Sequence, residues 1–152
     1  MASKQTTISR ANAKVRAGRR AGGSSRRGGS LVEMAFVMSI LVYLGFGMGE
    51  YGLYFFIKNA LAGAAREGCR AAVVSTATNT NVTNAISTSL TAAKVTNYTT
   101  TISPSNVSGL TSGTSITVTV TATWSNVGVH MLPAGGIPSY KQIQGTAVMR
   151  RE

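Results

Sequence analysis

Residues 31–57, LVEMAFVMSILVYLGFGMGEYGLYFFI, decide the fold. From Met34 to Gly49 every residue is apolar or small, and a glutamate stands on either side, Glu33 and Glu50. Coiled as a helix, this 27-residue span extends about 40 Å, enough to cross a hydrocarbon layer of about 30 Å. The expectation is a single transmembrane helix.

The charge lies on one side of it. Of the 15 basic residues in a chain of 152 with net charge +11, eight precede residue 28: Lys4, Arg10, Lys14, Arg16, Arg19, Arg20, Arg26 and Arg27. No acid precedes Glu33, and from residue 29 onward seven basic residues face four acidic ones, 7 − 4 = +3. The positive-inside rule therefore puts residues 1–28 in the cytoplasm and residues from 58 onward outside it. The leader is polar, rich in Gly, Ser and Ala, and has no apolar periodicity from which a core could grow. It holds no aromatic residue to stack on bases, so contact with anionic lipid is expected of it rather than nucleic acid.

Composition narrows the function. Charged residues make up 12% of the chain, against roughly 25% in an ordinary soluble domain. There is no Asp, and one His, one Cys and four Glu leave little for acid–base pairs, metal cages or nucleophilic triads. No enzymatic activity and no cofactor are expected. His130 stands in a long loop without other ligand types nearby in sequence, and Cys69 has no partner for an internal disulfide. Cys69 is read as a small buried helix residue, with an intermolecular bridge as the alternative.

Beyond the membrane the helix is expected to persist through KNALAGAAREGCRAAVVS, Lys58 to Ser75, where alanine is abundant. Arg66, Glu67 and Arg70 then lie at an aqueous edge, either solvated or touching partners. The polar segment TATNTN ends the helix. A second helix is predicted over 81–94, because Val82, Ala85, Ile86, Leu90 and Ala93 share one face. The strongest strand signal is Ile116 to Trp124, where apolar residues alternate strictly with Thr117, Thr119, Thr121 and Thr123. Weaker alternation over Thr96 to Ser103 and a run from Gln142 to Arg150 supply two more strands. Residues 125–141 form a long connection whose Val127, Val129, Met131, Leu132 and Ile137 are expected to cover the core. The predicted fold is α+β: a long N-terminal transmembrane helix continuing into a small exported head with a short helix and a three-stranded antiparallel sheet. The expected divisions are a leader (1–28), the helix and its extension (29–75) and the head (76–152).

The junction RRGGSLVEMAF, Arg26 to Phe36, carries one acid at the edge of an apolar helix. A carboxylate in hydrocarbon costs a few kcal/mol, on the order of 3, so such a residue is a candidate functional site. This junction resembles the processing site of type IV pilin-like precursors, which a prepilin peptidase cuts after Gly, with Glu at the fifth mature position. A cut between Gly28 and Gly29 makes Glu33 the fifth residue, whereas a cut after Gly29 would make it the fourth. Together with GEYG (Gly49 to Gly52), NALAGAAREGCRAAV (Asn59 to Val73) and AVMRRE near residue 152, the pattern is similar to the TadE-like family. Cys69 stands where that family usually has a small residue such as Ala, and the leader is longer than many of its kind.

The resemblance implies a minor pilin or pseudopilin of the tight-adherence (Flp) pilus, serving adhesion or secretion. It implies a prepilin peptidase, the major pilin and a TadF-like pseudopilin as partners in a hetero-oligomer of the bacterial inner membrane. Glycine at the cut lets an extended backbone lie close to the peptidase's carboxylates. The new amino group on Gly29 can then offset the charge of Glu33, in its own chain or a neighbour's, and so set helix register. The plainer role for Glu33 is a helix-end glutamate reaching the headgroups. Glu50, deeper in the helix or near the outer interface, is expected to make either a structural ion pair or headgroup contact, or a contact to a partner. Gly45 and Gly49 form a small-xxx-small pair that would let another helix approach. The N-x-S/T triplets at Asn81, Asn97 and Asn106 follow from composition alone. Two other readings remain open: an uncleaved single-pass anchor whose exported domain binds an envelope ligand, and a secreted domain behind a conventional signal peptide. The length of the apolar run and the lack of an A-x-A site weigh against the last.

Overall fold

The computed structural model describes residues 26–132 and 136–151. Its first element, α1, spans Arg26–Val73. All three prolines of the chain lie beyond it, so nothing removes a donor from its 48-residue ladder. Then follow α2 (Asn79–Ala92), β1 (Thr99–Ser103), β2 (Ser115–Thr123), the one-turn α3 (Trp124–Val127) and β3 (Gln142–Arg150). The sheet is antiparallel in the order β1-β2-β3. The α+β architecture expected from the sequence is the one observed. The leader expected over residues 1–28 lies outside the described residues as far as Ser25.

Two compact units divide the chain, one ending at Val42 and one beginning at Tyr43. In the first, Leu31, Val32, Met34, Phe36, Met38 and Leu41 are exposed around the whole circumference of the helix. A helix so long, apolar and uncovered is consistent with a single-pass membrane anchor. α1 is the one helix among the described residues long and apolar enough to cross a membrane.

In the second unit α1 changes character. Ile57, Leu61, Ala64, Ala65, Cys69 and Ala72 recur on one face and are fully or almost fully buried. Beyond Leu61 these side chains are small, Ala64, Ala65, Cys69 and Ala72, which lets the sheet lie close. A Cβ placed on Gly145 of β3 would collide with the backbone of Leu61 and Ala62. One on Gly68 would sit 2.7 Å from Ile86 Cγ1 of α2 and 3.4 Å from Val118 of β2. The Ala/Gly-rich run from Asn59 to Val73 is thus the bed on which sheet and second helix rest.

The other elements complete that core. Thr78 caps α2, its hydroxyl accepting from Asn81 N–H at 3.3 Å, and Val82, Ile86 and Leu90 are buried. α2 ends as Lys94 turns to φ 57° and Val95 N–H reaches back to the Leu90 carbonyl at 2.9 Å. On β2, Ile116, Val118, Val120 and Ala122 face inward while the threonines face outward, as the alternation requires. Trp124, expected in the strand, opens α3 instead: its N–H still bonds Lys141 O at 2.8 Å, but the chain then coils for one turn. β1 begins at Thr99 rather than Thr96.

Arg151 fastens the far end of the head. Its guanidinium is buried and donates to the carbonyls of Val107 and Ser75, the latter at 2.6 Å. It therefore joins the exit of α1, the β1–β2 loop and the end of β3. Cys69 is buried and donates its thiol proton to Ala147 O at 3.2 Å. Burial pushes that thiol above the ordinary cysteine range.

Candidate functional site

Gly28 and Gly29 occupy the first turn of α1, exposed, with nothing within 4 Å of where a Cβ would stand on either. Two glycines in the first turn lower its helical preference, so this end of the helix uncoils readily. One turn further on, Glu33 is exposed and has no hydrogen bond or ion pair among the described residues. The structure thus presents a weak turn, then an unsatisfied carboxylate, then an uncovered apolar helix.

A second carboxylate has the opposite surroundings. Glu50 closes the apolar run, yet it is fully buried. Oε2 accepts from the main-chain N–H groups of Met131 and Leu132 at 3.3 and 3.2 Å, and Oε1 from Ile137 at 2.7 Å. No cationic side chain forms a salt bridge with it among the described residues. Three oriented amide dipoles take the place of a counter-ion.

The loop after α3 supplies these donors and is shaped to reach the helix. A Cβ on Gly136 would stand 2.7 Å from Glu50 Oε1 and 2.9 Å from Oε2, so only glycine lets the backbone close over the carboxylate. Leu132 Cδ1 lies 3.7 Å, and Met131 Sδ 3.4 Å, from the Cβ positions of Gly47 and Gly49. GFGMGE is therefore a seat for the protein's own loop. Of the small-xxx-small pair, both glycines are exposed: Gly45 has nothing within 4 Å of its Cβ position, and Gly49 has the Met131 side chain beside it. Of the loop residues expected to cover the core, Ile137 is buried, whereas Val129 and Met131 remain 52% and 40% exposed.

Aromatic rings support the same corner. Trp124 is fully buried, edge-on to Tyr54 at 5.9 Å and to His130 at 6.3 Å between centroids. Gly128 follows α3 because any side chain there would strike the indole. Trp124 Nε1 is buried without a hydrogen-bond partner. No group of three or more His, Cys, Asp or Glu able to hold a metal exists among the described residues. Glu50's fixture was missed at the sequence level because its donors are main-chain groups more than 80 residues away. The signal available was an acid closing an apolar run, with a Gly-Gly later in a long loop.

The model of the TadE-like protein family matches residues 28–70. It covers the Gly-Gly turn, Glu33, the apolar run, Glu50 and most of the Ala-rich bed, and over these residues the chain is similar to that family. No curated protein and no solved structure matches the chain significantly. The match points to a Tad pilus-associated protein, and the apolar helix within it is consistent with a single-pass membrane anchor.

Proposed function

We propose that the chain is a minor pilin or pseudopilin of a Tad pilus, cut by a prepilin peptidase between Gly28 and Gly29, and not an enzyme. The observation that carries this is the TadE-like match over residues 28–70, laid on a helix that is exposed and, beyond Glu33, apolar or small from Met34 to Phe46. The glycine turn suits a protease because it uncoils at little cost. Cleavage removes the eight positive charges before residue 28 and leaves +3 on the remainder. The leader holds the N-terminus in the cytoplasm until then, with the head outside the bacterial inner membrane.

Glu33 acts in assembly. An exposed carboxylate in hydrocarbon is stable only when paired, and the new amino group of Gly29 in a neighbouring subunit can pair with it. That pairing would set the register of one helix against the next among the major pilin and a TadF-like pseudopilin. The test is Glu33→Ala. Cleavage is expected to proceed, while mild crosslinking followed by isolation recovers the variant without the pilus proteins that accompany the unaltered chain. Recovery of the same partners would refute the role of Glu33.

A further inference from the structure

Among the described residues the outer edge of β3 is bare. Arg151 N–H bonds Thr114 O, and Lys141 O accepts from Trp124 N–H, so the odd-numbered residues of β3 direct their main-chain groups toward β2. By alternation, the N–H and C=O of Gln142, Gln144, Thr146, Val148 and Arg150 point away from the sheet. None of them has a backbone partner on that side among the described residues. A nine-residue edge is long for one left uncovered.

Beside this edge runs a groove of about 760 Å³ between β3 and the last turns of α1, lined by Arg70, Val73, Val74, Ser75, Met149 and Arg150. A strand added to β3 would lie in it, over Val73, Val74 and Met149 and between two arginines. Arg70 and Arg150 have no salt bridge among the described residues, and the lining holds no acid.

We propose that this edge and groove receive an extended, acidic segment of a different polypeptide as a fourth strand. Main-chain bonds to the edge supply the binding, the apolar floor takes its inward side chains, and Arg70 and Arg150 select carboxylates. A second copy of this chain does not fit, because none of its three strands contains an acid. Of the chain's four acids, Glu33, Glu50 and Glu67 lie on α1, and Glu152 lies outside the described residues. The inference deepens the assembly reading by giving the chemistry of a partner, but it stands on the head alone. Failure here would leave cleavage at Gly28 untouched, and failure of cleavage would leave this edge in place.

The test uses the full chain in detergent and two synthetic peptides, one alternating valine with glutamate and one alternating valine with lysine. Residue-resolved amide hydrogen exchange is the readout. The glutamate peptide is expected to slow exchange at Gln144, Thr146, Val148 and Arg150, and the lysine peptide to leave it unchanged. Val148→Pro removes one outward donor without touching the β2 ladder and is expected to abolish the protection. Should that variant not fold, the double charge reversal Arg70→Glu with Arg150→Glu serves instead. It is expected to weaken the glutamate peptide about tenfold or more and to admit the lysine peptide. Equal protection by both peptides, or none by the glutamate peptide, would overturn the proposal. Protection that grows with protein concentration in the absence of peptide would place a second copy on the edge and overturn it as well.

Discussion

At the residue scale the chain uses two glutamates in opposite ways. Glu33 is exposed and without a partner among the described residues, whereas Glu50 is enclosed by three N–H groups at 2.7 to 3.3 Å. Glu50→Ala strands those donors in a buried site and is expected to destabilise the head by about 3 kcal/mol. Glu50→Gln keeps one acceptor oxygen and is expected to cost less, about 1–2 kcal/mol. Urea unfolding followed by the fluorescence of Trp124, the chain's single tryptophan, measures both. Equal stability of Glu50→Ala and the unaltered protein would mean the loop is not held by this carboxylate. Cys69 offers a separate check: its thiol is buried and held in the protonated form. A maleimide is expected to leave the folded protein unlabelled at neutral pH and to react at once in urea. Prompt labelling of the folded state would contradict the packing of α1 against the sheet.

At the scale of elements, the crossing of β3 over α1 governs the head. Gly145→Ala presses a methyl group into the backbone of Leu61 and Ala62, where no side chain can swing aside. The expected loss is about 2–3 kcal/mol, read from the same urea curves. Gly68→Ala meets the side chain of Ile86 instead and is expected to cost less. Much of this architecture was legible in advance. Gln142 to Arg150 forms the strand expected of it, and the threonine alternation fixed which face of β2 is buried. α2 starts at Asn79 rather than Asn81 because Thr78 provides the cap, a local hydrogen bond that apolar spacing does not register. The seat of the loop on Gly47, Gly49 and Glu50 was not legible. It joins main-chain amides to a distant carboxylate, and no periodicity records such a contact.

At the scale of the whole molecule, the charge that dominates the composition belongs to the segment before Gly29. The rest carries an exposed apolar helix, a head built on that helix's own C-terminal turns, and a segment from 28 to 70 similar to the TadE-like family. Each part suits a subunit held in a membrane and then handed to an assembly. Removal of the leader is the step that separates this account from an anchor that keeps its basic tail. The most direct measurement is the N-terminal sequence of the protein extracted from membranes of cells with an active prepilin peptidase. The account expects it to begin Gly29-Ser30-Leu31-Val32-Glu33, and to revert to the uncut form when the peptidase is absent. A start at Met1 or Ala2 in cells where the peptidase is active would contradict it.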